Sequence, residues 1–237
     1  MRKNMSRAIC NICGNEIDLT KINLAPELRE SIICPNCGSI SRDRMMIYGL
    51  QYGLATMIPI SKMKTDKSLK VLETSGSRGH PPYLSKLFDY YNIWYDPLVL
   101  KSGYYDKRKH GDLQELNFDD NFFDIILCSD VFEHVRLPQK AFSEVFRVLK
   151  KGGILVLQVP FLGLDKHNVQ FVEPVGDKDI FLSTPQYHDA HTLVYQLFGG
   201  LDLIPTLSCT GFHVNFIEKE ISEYAISWQH VIICLKS

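Results

Sequence analysis

The sequence contains no apolar run of membrane-spanning length, no surplus of either charge, and no internal repeat or low-complexity tract. The first absence argues against a transmembrane helix, which needs about 20 consecutive apolar residues, so no membrane partner is expected. The opening stretch, Met1-Arg2-Lys3-Asn4-Met5-Ser6-Arg7, is followed by no apolar segment adequate for a signal peptide, and a cytoplasmic location is the expectation. With 26 Lys and Arg against 27 Asp and Glu, a formal net charge of -1 gives no general attraction to nucleic acid or membrane, although a local patch remains open. Cysteine is sparse beyond residue 37, with only three of the seven placed there. What remains is an ordinary globular balance, 45% hydrophobic and 22% charged, over 237 residues. That length serves one sizeable core and a small attached module.

The other four cysteines form two pairs, Cys10-Asn11-Ile12-Cys13 and Cys34-Pro35-Asn36-Cys37, with twenty residues between them. Two intervening residues let both thiolates of a pair turn toward one ion, and two such knuckles supply a tetrahedral sulfur site. Gly14 and Gly38 each follow a pair, where a chain folding back under its ligands benefits from having no Cβ. Four thiolates leave no open position, so the expected zinc is structural and stands in for a core that about 35 residues cannot build alone. Disulfide pairing is disfavoured if the chain is intracellular, where thiols stay reduced. Arg29, Arg42 and Arg44 could reach phosphates from this module, but Glu16, Asp18, Glu27, Glu30 and Asp43 are interspersed among them. A zinc-binding module over 1–45, a helix and linker over 46–67, and a larger domain over 68–237 follow. The helix, from Ser39 to Leu54, has Ser39 or Ser41 as its candidate cap, and Ser61 to Lys67 is the linker.

In the larger domain, Lys70-Val71-Leu72-Glu73 reads as a strand entering the turn Thr74-Ser75-Gly76-Ser77-Arg78-Gly79 and then a helix. Such a turn lets a ligand approach the backbone closely. Asp96 lies twenty-three residues beyond Glu73, at the end of an aromatic strand, where an acid can accept both hydroxyls of a ribose; a turn with Pro97 is the alternative. Phe123 to Ser129 is a near-continuous apolar run of the kind covered on both faces. Pro138 to Leu149 is amphipathic and closes with Lys150-Lys151-Gly152-Gly153, and Gly153 to Pro160 is another strand. This alternation indicates a parallel α/β sheet, with Gly211–Phe216 and Trp228–Leu235 as a candidate hairpin at its edge. A polar insert at about 161–200 should cover the sheet's carboxyl edge. Its Gln186-Tyr187-His188-Asp189-Ala190-His191 offers a base or a substrate contact, or is a solvated loop. H-x-x-H with one acid has no close match among common catalytic metal motifs.

The segment Phe123-Asp124-Ile125-Ile126-Leu127-Cys128-Ser129-Asp130-Val131-Phe132-Glu133-His134-Val135, continuing through Pro138, Ala141 and Glu144 to Lys150 and into Val159-Pro160, resembles class I S-adenosylmethionine-dependent methyltransferases of the type 11 group. The resemblance covers roughly residues 68–160 well and the remainder more loosely. It implies a Rossmann-like, seven-stranded, mostly parallel sheet with an antiparallel C-terminal hairpin. Carried over residue by residue, it implies S-adenosylmethionine binding by Glu73, by the loop of Ser75, Gly76, Ser77 and Gly79, by the ribose acid Asp96, by Asp112 and Leu113 at adenine, and by Cys128 and Ser129 beside the methionine portion. Ser75 and Ser77 depart from the usual glycines. Serine at positive φ is strained, and the departure puts cofactor affinity in question.

The sulfonium methyl is electrophilic already, so the protein must align a nucleophile and exclude water. A hydroxyl or amine acceptor would gain from a base near neutral pKa, for which His134, His188 and His191 are the candidates. The expected activity is methyl transfer to a small molecule or glycan precursor. An RNA or protein methyltransferase using the zinc module for recognition is the alternative, and a non-catalytic partner protein that kept the fold is a third reading.

Overall fold

The structure is a computed structural model and describes residues 6–21, 28–74, 79–188 and 192–237. The first cysteine pair lies between the short antiparallel strands β1 (Arg7–Ile9) and β2 (Glu16–Asp18). Helix α1 (Ser41–Gly53) follows the second pair, then β3 (Lys70–Glu73), α2 (Pro81–Leu87), β4 (Asp89–Asn92), α3 (Pro97–Lys101), β5 (Phe123–Ser129), α4 (Pro138–Val148) and β6 (Leu149–Gln158). The insert forms six short strands: β7 (Val169–Gln170), β8 (Val172–Val175), β9 (Lys178–Phe181), β10 (Gln186–His188), β11 (Thr192–Val194) and β12 (Gln196–Leu197). Helix α5 (Gly200–Thr210) and the hairpin β13 (Phe212–Ile221) and β14 (Ile226–Lys236) complete the chain.

The central sheet has six strands among the described residues, in the order β13-β14-β6-β5-β3-β4. β3, β4, β5 and β6 pair in parallel, and the hairpin adds antiparallel to β6. The seventh strand expected from the resemblance is reduced to a single parallel bridge between Trp94 and His110. Asn92 N and Trp94 N donate to Arg108 O and Lys109 O at 3.1 and 3.0 Å and Gly111 N to Trp94 O at 3.2 Å, and a turn with Glu115 N donating to Asp112 O at 3.0 Å follows.

Strand alternation sends neighbouring residues to opposite faces and builds two core layers. Leu72, Ile126, Cys128, Leu155 and Leu157 meet α4 and α5 on one face. Val71, Ile125, Leu127 and Val156 meet α1, α2 and the cysteine module on the other. α4 buries Ala141, Phe142, Val145 and Val148, the helical spacing of a single apolar stripe. It ends at Val148, and the Lys150–Gly153 stretch expected as its terminus belongs to β6. There Gly153 approaches the backbone so closely that a Cβ would lie 2.9 Å from Asp124 O.

α1 is the joint between the module and the sheet. Gly49 and Gly53 face the sheet directly; a Cβ on Gly49 would lie 2.6 Å from a Val156 methyl and 2.8 Å from one of Val231. The helix N-cap is Ile40, whose backbone N–H is taken by Asp43 Oδ2 at 3.0 Å, so neither serine caps it. Ser41 instead bonds Ser227, 2.9 Å between hydroxyls, fastening α1 to β14. Arg44 is fully buried and donates to Ser39 O (2.7 Å), Ile32 O (2.6 Å) and Ala225 O (2.7 Å). At the start of the expected linker, Ile60 N and Ser61 N donate to Asn11 O and Ile12 O at 3.0 and 2.9 Å, stitching this point to the first cysteine pair.

Candidate active site

The carboxyl ends of β3 and β5 open into a cavity of about 900 Å³. From β3 the chain first adds β4 on one side and later β5 on the other, and ligands in open α/β sheets sit at such a switch point. Thr74 lines it after β3, Trp94 and Tyr95 after β4, Ser129 at the end of β5 and Asp130 just beyond. Thr192, Leu193 and Tyr195 reach it from the insert, which is folded into three two-stranded ribbons.

Of the residues expected at a cofactor, Asp112, Leu113 and Ser129 line this cavity. Asp112 Oδ1 accepts from the backbone and side-chain nitrogens of Gln114 at 2.8 and 3.1 Å. Asp96 sits beside the wall, where Oδ1 caps α3 by accepting from Leu98 N and Val99 N at 2.9 and 3.1 Å. The turn role weighed for it is therefore present. Cys128 is buried in the core below Ser129, and burial pushes its thiol well up. Glu73 is also fully buried and is not among the cavity-lining residues; it bonds His80 Nε2 at 2.9 Å and the Tyr90 hydroxyl. Burial disfavours a charged imidazole, but the Glu73 carboxylate outweighs it and holds His80 above its usual value. Gly79, at φ +80°, abuts the second cysteine knuckle, where a Cβ would lie 3.0 Å from Cys37 O. Ser75, Gly76, Ser77 and His191 lie outside the described residues.

Asp130 has φ +50°, a left-handed backbone that Asp tolerates. Its carboxylate accepts twice from Arg29 Nη2, at 2.8 Å each, and also from Arg42. Burial opposes its charge, yet Arg29 and Arg42 hold Asp130 below the usual carboxylate range. Arg42 also pairs with Glu30 at 3.2 Å. Two arginines of the cysteine module thus reach the wall of the cavity.

Next along the chain, the single 3-10 turn Phe132–His134 carries Glu133 and His134. Glu133 is fully buried, and neither carboxylate oxygen has a hydrogen-bond partner among the described residues. Burial, reinforced by the Asp130 charge, pushes its carboxyl up to about 8. His134 lines the cavity, and its Nδ1 lies 2.7 Å from Leu193 O. Its Nε2 lies 3.1 Å from Nδ1 of His188, which stands on β10. Two of the three candidate bases are therefore together, joined across the insert. Glu133, Asp130 and the arginine clamp were missed by sequence reading. The acid-histidine pair 133–134 was visible inside the motif, but the ion pair spans residues 101 apart and has no local signature.

The four cysteine sulfurs lie within 4.8 Å of one another, with Cys10–Cys37 and Cys13–Cys34 separations of 3.8 and 3.6 Å. A tetrahedron with Zn–S bonds of about 2.3 Å has edges of about 3.8 Å, so the cluster has the size of a zinc site. The guanidinium of Arg44 lies buried beside the cluster: burial lowers its pKa, and the charges of Cys10, Cys34, Asp43 and Cys37 offset this only in part.

Residues 75–157 match the family model described as a methyltransferase domain. The chain is 43% identical over 60 residues to the ubiquinone/menaquinone biosynthesis C-methyltransferase UbiE of Ruegeria sp., covering 24% of each protein. It is 33% identical over 101 residues to an uncharacterised protein of Methanocaldococcus jannaschii, covering 42% of this chain and 44% of that one. These alignments thus span under half the length of the curated relatives. A solved S-adenosylmethionine-dependent methyltransferase of Mesorhizobium loti overlays with a TM-score of 0.45 at 13% identity, covering 73% of this chain and 93% of the other. The family match supports a methyltransferase, and its span holds Asp112, Leu113 and Ser129 of the cavity wall.

Proposed function

We propose that this chain transfers a methyl group from S-adenosylmethionine to a small-molecule or glycan-precursor acceptor. The observation that carries the reading is the cavity at the sheet's switch point, lined by Asp112, Leu113 and Ser129 from the stretch that matches the methyltransferase domain. When bound, S-adenosylmethionine supplies an electrophilic methyl on a sulfonium. In this reading Asp112 and Leu113 hold the adenine end, Asp96 the ribose, and Ser129 with the loop of Ser75, Gly76 and Ser77 the methionine end. Glu73 and Cys128 act from below, Glu73 by fixing the end of β3 through His80 and Tyr90. The insert, through Thr192, Leu193 and Tyr195, closes one side of the cavity and so limits water. With no ion at this point, the pair His134 and His188 accepts the proton the acceptor loses.

A zinc ion at Cys10, Cys13, Cys34 and Cys37 is structural in this reading. The module 1–45 and the segment 46–67 then serve the domain 68–237 by presenting Arg29 and Arg42 to Asp130. The test is calorimetry of S-adenosylmethionine and S-adenosylhomocysteine on zinc-replete protein, beside Asp112→Ala and Asp96→Ala. Micromolar binding to the parent protein, weakened in both variants, is expected. No binding of either ligand by folded protein would overturn the proposal and favour a non-catalytic role.

A further inference from the structure

Glu133, His134 and His188 bring three potential ligand atoms into one small volume. Glu133 Oε1 lies 3.7 Å from His134 Nε2 and 3.6 Å from His188 Nδ1, and the two nitrogens are 3.1 Å apart. A circle through three points at those spacings has a radius of about 2.0 Å, and Zn–N and Zn–O bonds are about 2.0–2.2 Å. One ion placed among them therefore reaches all three without moving any of them.

The hydrogen bonding around the cluster supports the same reading. The Leu193 carbonyl can only accept, so His134 Nδ1 carries the hydrogen and donates to it at 2.7 Å. In the neutral ring this leaves a lone pair on Nε2, and a backbone carbonyl on the far nitrogen is the usual way of orienting a metal-binding imidazole. Without an ion, His188 Nδ1–H can donate to that lone pair, but this does nothing for Glu133. Both Glu133 oxygens then remain buried with no hydrogen-bond donor among the described residues, Oε1 lying 3.6 Å or more from either ring, a costly arrangement for a carboxyl group. An ion satisfies the carboxylate and both lone pairs together.

We propose that Glu133 Oε1, His134 Nε2 and His188 Nδ1 bind a divalent transition-metal ion at the wall of the cavity, with its remaining positions open to a hydroxyl oxygen of the acceptor. Two imidazoles and one carboxylate are a donor set for zinc, iron, cobalt or nickel rather than for calcium or magnesium. The cluster is separate from the four-cysteine site, and ion binding there does not depend on methyl transfer by the chain. The part concerning the acceptor rests on the methyl-transfer reading. There, the ion lowers the pKa of the acceptor hydroxyl, whose proton leaves to solvent. The oxygen lone pair then forms the O–CH3 bond as the S–CH3 bond breaks, and its electron pair stays on sulfur as the thioether. With the ion in place the two histidines act as its ligands, and no side-chain base is needed.

The test is a Co²⁺ titration of protein whose cysteine cluster is already filled with zinc, read by visible absorption and by metal content per chain. One additional ion is expected, with the weak d–d bands of nitrogen and oxygen ligation and no intense thiolate charge-transfer band. His188→Ala, at a half-exposed ribbon position, should weaken Co²⁺ binding by about tenfold or more, and Glu133→Gln should do the same or worse. Circular dichroism of both variants checks that they fold. Absence of a second ion at millimolar Co²⁺, or binding unchanged in folded His188→Ala, overturns the proposal. S-adenosylmethionine calorimetry on the same zinc-loaded protein fails or succeeds independently, so loss of the methyl-transfer reading is distinguishable from loss of the metal site.

Discussion

Replacing Asp130 tests whether the cysteine module and the cavity wall are mechanically one unit. Asp130 is the common acceptor for Arg29 and Arg42, and its side chain is only 12% exposed, against 30% and 28% for the arginines. Removing one partner of a fully buried ion pair costs about 3–5 kcal/mol, because the surviving charge is left without compensation. Both guanidiniums keep some access to water and Arg42 retains Glu30, which places Asp130→Ala at the lower end, about 3 kcal/mol. Asp130→Asn keeps one acceptor oxygen and the shape, and should lose about 2 kcal/mol. Equilibrium urea unfolding of zinc-replete protein measures both, and a cycle with Arg42→Ala isolates the pair. The double variant should lose clearly less than the two single losses combined. A loss below about 0.5 kcal/mol in Asp130→Ala, or strict additivity in the cycle, would refute the clamp.

Gly49→Ala should destabilise by about 1 kcal/mol despite the better helix propensity of alanine, since the overlap with Val156 and Val231 falls on stiff, branched side chains; a more stable variant in urea would contradict this close approach. His230 is held down to about 4, chiefly by burial and then by Arg29, so the folded state keeps it neutral. The unfolded chain takes up that proton below about 6.5, and stability present above that pH is lost as pH falls toward 4, by up to roughly 3 kcal/mol. His230→Phe should flatten that part of a pH series of melting curves, and an unchanged slope would sink the assignment. Substituting Cys10 and Cys13 by serine should abolish tight zinc binding and lower stability by more than about 3 kcal/mol; a double variant with the parental melting temperature would show that no metal holds the module.

Features with a short sequence period were legible from the residues alone. The two cysteine pairs, the β5 run and the apolar stripe of α4 each advertise themselves within a dozen residues. Boundaries set by the backbone were less so: Lys150–Gly153 has the composition of a helix terminus, yet the chain passes from Val148 straight into β6. Ser39 and Ser41 have the chemistry of a cap, but Asp43 closes the first turn and Ser41 is drawn to β14 instead. Along the cavity wall, Asp112, Leu113 and Ser129 were expected from the family resemblance, whereas the Arg29–Asp130 contact and the meeting of His134 with His188 depend on how distant segments fold together. Glu73 illustrates a further limit. Its position at a strand end is readable, but its partners His80 and Tyr90 emerge only when α2 and β4 pack around it.

The three carbonyls that hold Arg44 come from Ile32, Ser39 and Ala225, and the last is 181 residues away in sequence. During synthesis the cysteine pairs leave the ribosome and can capture metal long before the turn carrying Ala225 exists. Until then the guanidinium beneath them lacks one of its anchors and the cluster lacks its floor. If the cluster holds zinc as proposed, metal captured early is open to exchange until β14, which begins just after Ala225, adds to the edge of β6. On that proposal, a chain halted before residue 225 should lose zinc to a chelator more readily than the full-length chain.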